Sequence, residues 1–431
     1  MKKVVGQVHI HELMTEAHSM PNAVSTPCNR SVLRVAAVVL VIFGIYAEPL
    51  LAKAAGNGAV LINSEFPGGN VAVTKNEGGT VHVAPDLRGD NPWFYWYFEA
   101  KASTPGRVDF VFPEKVVGFK NGAIGNQGPA ISKDLGETWR WMGTEQVDGS
   151  SFFYDFKAEN ERVRFAVTIP YVQKELDGFL KRNDGNAHLK KSVLAKSLKG
   201  REVELLQIGN PGPNINPVLV TGRHHATETI ASYVLEGFMQ EAMSASPSGQ
   251  EFRSRYVLFA VPFVDKDGVE QGDQGKNRKP HDHNRDYGED SIYPEVKAIK
   301  QLDQLHDFQF ALDFHCPTLV MPDHQVMYFV GGKTQPKYNF DNVSEFAGWM
   351  KKGLPKTAPH GPLVWLRDKA APAPMNSTYF GSKANSIMAA TIEIPFAPAN
   401  KATDPQSCRG YGKIMLEAWV NTHFLSGDVA R

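Results

Sequence analysis

One strand-turn-helix stretch, residues 218–243, constrains the fold more than any other part of the sequence. The apolar run Val218–Val220 is typical of a buried strand, and a glycine follows it. Residues Ala231–Met243 then predict an amphipathic helix. His225 and Glu228 fall in the turn between them, where an imidazole and a carboxylate three residues apart can converge on one metal ion. This spacing is common by chance, so a metal site needs a third ligand and a base from elsewhere.

After residue 203 the chain alternates between predicted strands and predicted helices. The strand candidates are near-continuous apolar runs at residues 203–208, 218–220, 256–264, 308–314 and 390–394. Such runs between helices are typical of a parallel sheet with both faces covered. We therefore predict an α/β domain over residues 171–426, with a mixed, mostly parallel sheet flanked by helices.

The preceding region, residues 58–170, has a different pattern. Short alternating or aromatic-rich runs, separated by Gly, Pro, Asn and Asp, recur at residues 71–73, 80–83, 93–98, 108–112, 152–156 and 163–169. This spacing predicts an all-β sandwich domain. Trp93, Tyr95 and Tyr97 form an aromatic stripe that is either the sandwich core or a platform for a ligand. A core is the more ordinary use of such rings.

The overall charge and the N-terminus bear on partners and location. Lys plus Arg and Asp plus Glu both total 46, so no global charge favours nucleic acid or an anionic membrane surface. The apolar run Val35–Ile45 is short for a membrane span, and the small-x-small pattern Ala52-Lys-Ala54 follows it. We predict that residues 1–54 are an export signal, with an uncleaved anchor as the alternative. The mature protein is then expected to be periplasmic or secreted, without stable membrane insertion.

Two polar residues in apolar strands complete the constellation. His315 ends the run Phe310–Phe314, at the position where ligands of open α/β sheets gather, although a histidine there can also be a core residue. Glu393 lies within the apolar run 390–394, where a carboxylate is costly unless it is paired or functional. With His225 and Glu228, these residues predict a catalytic zinc with an open fourth position.

The same residues occur in a characteristic order. His225-x-x-Glu228 is followed by Pro262–Gly268, by Asp282-x-Asn284-Arg285, by His315 on a strand and by Glu393 in a Thr-x-Glu strand. In this order the chain resembles the zinc metallocarboxypeptidases of the carboxypeptidase A type. It is most similar to the branch of cytosolic carboxypeptidase-like enzymes, which carry a β-sandwich before the catalytic domain. The resemblance covers residues 60–425.

The resemblance implies a role for each matching residue. His225, Glu228 and His315 would bind one Zn²⁺ per chain, and Glu393 would be the general base that activates the attacking water. Asp282 would accept a hydrogen bond from His225 and so fix the tautomer of that ligand.

The resemblance also implies how the substrate is held. Asn284 and Arg285 would bind the terminal carboxylate of a peptide substrate, with the guanidinium of Arg285 supplying two parallel donors. The partner is therefore expected to be a peptide with a free C-terminus.

The chain departs from the family pattern at two positions. Gly275 stands where the family usually has an arginine that polarises the scissile carbonyl, and Arg278 or Lys276 is the candidate replacement. The family also uses a mobile tyrosine before the base strand, for which Tyr379 is the nearest candidate. These departures bear on substrate geometry more than on zinc binding.

The sequence as a whole predicts a zinc metallocarboxypeptidase that hydrolyses C-terminal residues of peptides. One alternative is a zinc-dependent deacylase of the succinylglutamate desuccinylase type, acting on N-acyl amino acids or cell-wall peptides. A second is a catalytically inactive protein that binds peptide or glycan. The presence of all four residues His225, Glu228, His315 and Glu393 argues against the second alternative.

Overall fold

The computed structural model describes residues 60–116, 123–320, 325–332, 336–367, 374–398 and 403–425. The predicted export signal, residues 1–54, lies outside these residues and stays a prediction. Within the described ranges, no helix has both the length and the apolar character needed to cross a membrane.

Two sheets of five strands each are described before residue 167. The first contains, in spatial order, β1 (Val60–Asn63), β4 (Tyr97–Ala102), β10 (Arg162–Ala166), β6 (Ala130–Ser132) and β7 (Arg140–Trp141). The second contains β2 (Ala72–Glu77), β3 (Thr80–Ala84), β5 (Gly106–Val111), β9 (Ser151–Phe156) and β8 (Val147–Asp148).

Aromatic rings from these two sheets share one core. Phe98 and Phe165 belong to the first sheet, and Phe110 and Phe152 belong to the second. Phe110 lies 5.4 Å from Phe98 and 5.2 Å from Phe165 between ring centroids, and Phe152 lies 5.3 Å from Phe165. Tilted pairs at these distances add about 0.5–1.5 kcal/mol each beyond the burial of their area. The two sheets therefore pack against each other through these rings.

Within the aromatic stripe, residues 93–96 lie outside any strand and Tyr97 begins β4. Tyr95 and Tyr97 are buried, and the Tyr95 hydroxyl donates to the Gly68 carbonyl at 2.9 Å. The prediction of a strand over 93–98 was wrong, because the strand β4 begins only at Tyr97. The Tyr95 amide donates to the side chain of Gln274 instead of to a neighbouring strand. Burial, not ladder pairing, explains why these residues are aromatic.

A single sheet of eight described strands forms the second half of the protein. Its spatial order is β11 (Leu189–Lys196), β12 (Glu202–Ile208), β14 (Tyr256–Val261), β13 (Asn216–Gly222), β15 (Phe310–His315), β18 (Met388–Glu393), β16 (Met327–Gly332) and β17 (His360–Arg367). The predicted domain boundary near residue 170 falls between β10 and the first helix.

This sheet is mixed, and the prediction of a mostly parallel sheet was wrong. Parallel pairings join β14, β13, β15 and β18 in the centre, and also β16 to β17. Antiparallel pairings join β11 to β12, β12 to β14 and β16 to β18. A short turn at residues 197–201 connects β11 to β12, and a connection of that length permits only an antiparallel hairpin. β11 is Lys-rich and mostly exposed, so it was not among the strands predicted from apolar runs.

Helices cover both faces of the sheet. They are α1 (Gln173–Arg182), α2 (Thr229–Ala242), α3 (Pro247–Arg255), α4 (Lys266–Gln271), α5 (Pro294–His306), α6 (Lys337–Gly353), α7 (Asn376–Gly381) and α8 (Pro405–Val420). Along β13, Val218 and Val220 join the apolar cluster that contains α2, α6 and α8. Leu219, which points the other way, joins the cluster that contains α5 and α7. The alternation of side chains thus places the central strands, and their carboxyl ends, inside the molecule.

Candidate active site

Three predicted metal ligands meet at one edge of the sheet. His225 and Glu228 lie in the turn between β13 and α2, and His315 is the last residue of β15. The strands β13 and β15 pair in parallel, with Gly222 opposite Phe314. Since the carboxyl ends of parallel strands share an edge, the turn after β13 and the end of β15 are brought together.

The donor atoms of these ligands converge closely. The Glu228 carboxylate lies 2.8 Å from His225 Nδ1 through one oxygen and 2.7 Å from His315 Nδ1 through the other. The two Nδ1 atoms are 3.2 Å apart, and all three side chains are buried. Two imidazole nitrogens and a carboxylate within 4.8 Å of one another form the donor set that catalytic zinc uses. The residues present therefore fit a zinc ion.

A buried arginine shapes the turn that carries the first two ligands. Arg223 adopts a left-handed backbone conformation with φ of 59° and is almost fully buried. Its guanidinium donates to the carbonyl of Ala226 at 3.0 Å and to the carbonyl of Tyr171 at 2.6 Å. These bonds fix the turn against the segment that leads out of the N-terminal sheets.

A carboxylate lies behind each of the two histidines. His225 Nε2 lies 3.5 Å from Asp282 Oδ1. His315 Nε2 lies 2.6 Å from Asp313 Oδ2. Such partners orient the ring and leave the opposite nitrogen free for the metal. Asp313 was not predicted, although a residue two positions before a ligand on the same strand shares its face.

Asp313 also anchors a buried polar network that the sequence analysis missed. Its Oδ1 accepts from the Thr221 hydroxyl at 2.8 Å and lies 2.8 Å from His224 Nδ1. His224 Nε2 in turn lies 2.8 Å from the Tyr287 hydroxyl. Although burial raises the pKa of Asp313, the neighbouring His224 and His315 hold it below the usual range. The carboxylate is therefore charged and fixed where His315 needs it.

Glu393 reaches the cluster from the next strand. It ends β18 directly opposite His315 in the parallel register. Its Oε2 atom is buried and has no hydrogen-bond partner among the described residues. Burial raises the pKa of Glu393, and the charge of Glu228 raises it further, while His315 and Lys276 lower it. An unpartnered carboxylate beside a metal-ligand cluster has the properties of a general base.

Of the two candidate cations, the structure brings Lys276 to the ligands. Lys276 Nζ lies 3.3 Å from His225 Nδ1 and 3.6 Å from Glu228 Oε1. Arg278 instead forms ion pairs with three carboxylates, at 2.9 Å to Asp90, 3.1 Å to Asp265 and 3.2 Å to Asp273. The guanidinium of Arg278 is therefore held by these three carboxylates and not by the metal-ligand cluster.

Gly275 explains why the arginine of the family pattern is missing. Its φ is 71°, and a Cβ atom added there would lie 2.4 Å from the Ala226 amide nitrogen. No side chain fits at this position, because the loop passes directly over the turn that carries His225. A cation for the site has to come from another position in the loop.

The structure also shows the surroundings of the three remaining predicted site residues, Asn284, Arg285 and Tyr379. Asn284 is buried, with Nδ2 3.2 Å from His315 Nε2 and Oδ1 accepting from the Asn376 amide at 3.0 Å. Arg285 donates to the Asn284 carbonyl at 3.0 Å, and no carboxylate of the described residues forms an ion pair with it. Tyr379 bonds Asp303 through its hydroxyl at 3.4 Å and is not brought to the metal-ligand cluster.

A second buried acid lies beside the loop that carries Asp282. His283 stacks on Tyr293 at 3.6 Å between centroids, and its Nε2 lies 3.9 Å from Glu295. Burial raises the pKa of Glu295 to about 7, and burial lowers the pKa of His283 to about 4. At neutral pH His283 is therefore uncharged and Glu295 is only partly ionised.

We expect Glu295→Gln to stabilise the protein at pH 8. The folded-state pKa of Glu295 is above its ordinary value, so ionising this carboxyl costs folding free energy as pH rises from about 4.5 through 7. At 1.36 kcal/mol per pKa unit the gain is up to about 3 kcal/mol at pH 8, and it disappears towards pH 4. Thermal unfolding against pH measures it, with the exposed Glu289→Gln as control. A gain that is equal at both pH values, or no gain, would contradict the expectation.

Comparison with known proteins agrees with this geometry. Residues 183–358 match the family model described as zinc carboxypeptidase. Cytosolic carboxypeptidase 2 of Xenopus tropicalis is 26% identical over 54% of this chain and 27% of its own length. Human cytosolic carboxypeptidase 6 is 29% identical over 40% of this chain and 37% of its own length. The chain thus matches well under half of the length of these curated relatives.

Solved structures show the same fold over a larger share of the chain. The metallo-carboxypeptidase from Burkholderia cenocepacia superposes with a TM-score of 0.71, covering 84% of this chain and 98% of that chain at 19% identity. The metallo-carboxypeptidase from Pseudomonas aeruginosa, in complex with (2-guanidinoethylmercapto)succinic acid, gives a TM-score of 0.69 over the same shares. The ordered set of ligands, the matching family model and this shared fold lead to one conclusion: residues 183–358 match the zinc carboxypeptidase family, within a chain that has the metallo-carboxypeptidase fold.

Proposed function

We propose that this protein is a zinc metallocarboxypeptidase that removes residues from the C-terminus of peptides. The observation that carries the proposal is the convergence of His225, Glu228 and His315 beside Glu393, whose buried Oε2 atom has no hydrogen-bond partner among the described residues. The family match and the shared fold support it. His225, Glu228 and His315 would hold the zinc ion, with Asp282 and Asp313 orienting the two imidazoles.

The residues around the metal-ligand cluster have separate roles in the proposed reaction. When bound, zinc polarises the scissile carbonyl and makes a water molecule acidic enough to attack near neutral pH. Glu393 accepts the proton of the attacking water and then delivers it to the leaving amine. Lys276 contributes a positive charge at the same edge, where negative charge develops on the carbonyl oxygen.

Arg285 gives the site its preference for a chain end. Its guanidinium is partly exposed and has no carboxylate partner among the described residues, so it can bind the terminal carboxylate of a substrate through two parallel hydrogen bonds. The Oδ1 atom of Asn284 accepts from the Asn376 amide, which fixes the residue next to Arg285 in the chain.

The N-terminal sheets form a β-sandwich that contacts the segment after the strand that ends in Glu393. Phe94 contacts Phe396 with ring centroids 5.3 Å apart, just after the strand that ends in Glu393. Asn126 donates to the side chain of Gln325 at 2.8 Å, and Gln127 donates to the Pro398 carbonyl at 2.8 Å. A sandwich in this position would restrict access to the metal-ligand cluster on one side, which would admit the end of a peptide more readily than its middle.

Hydrolysis of peptide libraries tests the proposal. The zinc-loaded protein is expected to release the last residue of peptides with a free C-terminus and to leave the same peptides with an amidated C-terminus intact. Arg285→Ala should lower kcat/KM by about 10- to 100-fold, mainly through KM, the scale of a lost charge-assisted hydrogen-bond pair. The exposed Arg107→Ala is the control, since Arg107 forms an ion pair with Asp109 at the surface of the N-terminal sheets.

Two outcomes would overturn the proposal. Hydrolysis of N-acyl amino acids such as N-succinylglutamate, with no cleavage of peptides, would favour a deacylase. Binding of peptide without any hydrolysis in the zinc-loaded protein would favour an inactive binding protein.

A further inference from the structure

The loop that carries Lys276 is bonded along its length to the N-terminal half of the chain. Asn70 donates to the Gly272 carbonyl at 2.8 Å. Gln274 pairs with the backbone of Tyr95 in both directions, accepting from its amide and donating to its carbonyl at 2.8 Å each. The loop has no strand or helix of its own over residues 273–280. Its path over the metal-ligand cluster is therefore set by these contacts.

Asp90 makes the contacts nearest to the lysine. One carboxylate oxygen accepts from the Gly275 amide at 2.8 Å, and the other accepts from Arg278 Nε at 2.9 Å. A single side chain thus spans the residues on both sides of Lys276. The Asp90 side chain is only 6% exposed, so water does not readily replace these bonds.

Charge neutralisation alone does not account for Asp90. Arg278 already has Asp265 and Asp273 within 3.2 Å, so a third carboxylate adds more negative charge than the guanidinium needs. The excess of negative charge affects Asp273. Burial, followed by the charges of Asp265 and Asp90, raises the pKa of Asp273 to about 6. The bond from the Gly275 amide is what distinguishes Asp90 from the other two carboxylates.

We propose that Asp90 is a positioning residue that holds Lys276 against the metal-ligand cluster. The N-terminal sheets thereby complete the active site instead of only covering it. The role in turnover rests on the proposed peptidase function, whereas the fixing of the loop does not. Lysine has a long flexible side chain, so its ammonium group is precise only if the backbone beneath it is fixed. Asp90 supplies that fixed point from a different part of the chain.

A double-mutant cycle in the full-length protein tests whether Asp90 acts through Lys276. Asp90→Ala and Lys276→Met are each expected to lower kcat by at least 10-fold, with zinc content unchanged at one per chain. The double variant should be no slower than Lys276→Met alone, because residues that act as one unit are not additive. The control is Asp109→Asn, which removes a carboxylate from an exposed ion pair with Arg107 in the same sheets. Losses that multiply in the double variant would overturn the proposal.

Hydrogen exchange in the metal-free protein provides a readout that does not depend on activity. Amides of residues 273–279 are expected to exchange at least 10-fold faster in Asp90→Ala than in wild type, and at the wild-type rate in Asp109→Asn. Unchanged exchange in this loop would overturn the proposal even if turnover falls. If the wild-type protein hydrolyses no peptide, the proposed function fails and the exchange rates alone decide the role of Asp90.

Asp90→Asn covers the case in which Asp90→Ala does not fold. Its side chain keeps an oxygen that can accept from the Gly275 amide but loses the charge that pairs with Arg278. Exchange at residues 273–279 is expected to be faster than in wild type, and turnover is expected to lie between those of wild type and Lys276→Met. Wild-type values in both measurements would overturn the proposal.

Discussion

Glu393→Gln is expected to keep zinc bound and to lower kcat by ~100-fold or more, the scale of a lost general base. The amide is nearly isosteric with the carboxylate, but it cannot accept the proton of the attacking water. Glu393 reaches the cluster from β18, opposite His315 in register, while the three ligand side chains come from other elements. Steady-state kinetics with a free-C-terminal peptide and elemental analysis of the same sample measure the two quantities. The loss should appear in kcat more than in KM.

Glu228→Gln is the matched control, because it makes the same chemical change in the same site. Glu228 lies within 2.8 Å of the Nδ1 atoms of both His225 and His315, and these histidines and Lys276 hold its pKa well below the usual range despite its burial. A neutral amide is a poorer ligand for a dication, so this variant should lose zinc. If Glu393→Gln loses the metal and Glu228→Gln retains it, the two assignments are reversed.

His315→Ala is expected to lose most of the zinc. Two ligands from one turn would remain, and losing a ligand should cost more than the ~10–100-fold in affinity that losing an outer partner costs. The substitution also leaves the buried Asp313 carboxylate without one of its two imidazole neighbours, which adds a folding penalty. Zinc content after dialysis, and competition with a chromogenic chelator, measure the change. The exposed His423→Ala should keep the wild-type content, and full occupancy in His315→Ala would remove His315 from the site.

The metal-ligand cluster was predictable because its determinants are local in the sequence. His225 and Glu228 share one turn, and His315 and Glu393 each end an apolar run. The carboxyl ends of neighbouring parallel strands meet at one edge, so the order of these elements was enough to bring the four side chains together. The helix α2 was also predicted to within two residues at each end.

The surroundings of the cluster depend on contacts between distant segments, which no local pattern records. Arg278 and Lys276 are two residues apart and equally plausible as sequence, yet only the fold shows Arg278 held by Asp90, Asp265 and Asp273. Tyr379 stood at a suitable distance along the chain, but its hydroxyl bonds Asp303 instead.

The sequence by itself therefore determined the family of chemistry: two imidazoles and a carboxylate for a metal, and a separate carboxylate for a base. Only the tertiary structure decided which cation joins them and what holds it. Gly275 lies so close to the turn that carries His225 that no side chain fits there. The carboxylate that fixes the Lys276 loop belongs to Asp90, in a strand connection 185 residues before Gly275. Ligand spacing follows from backbone geometry over a few residues, whereas the position of Lys276 follows from packing between the two halves of the chain.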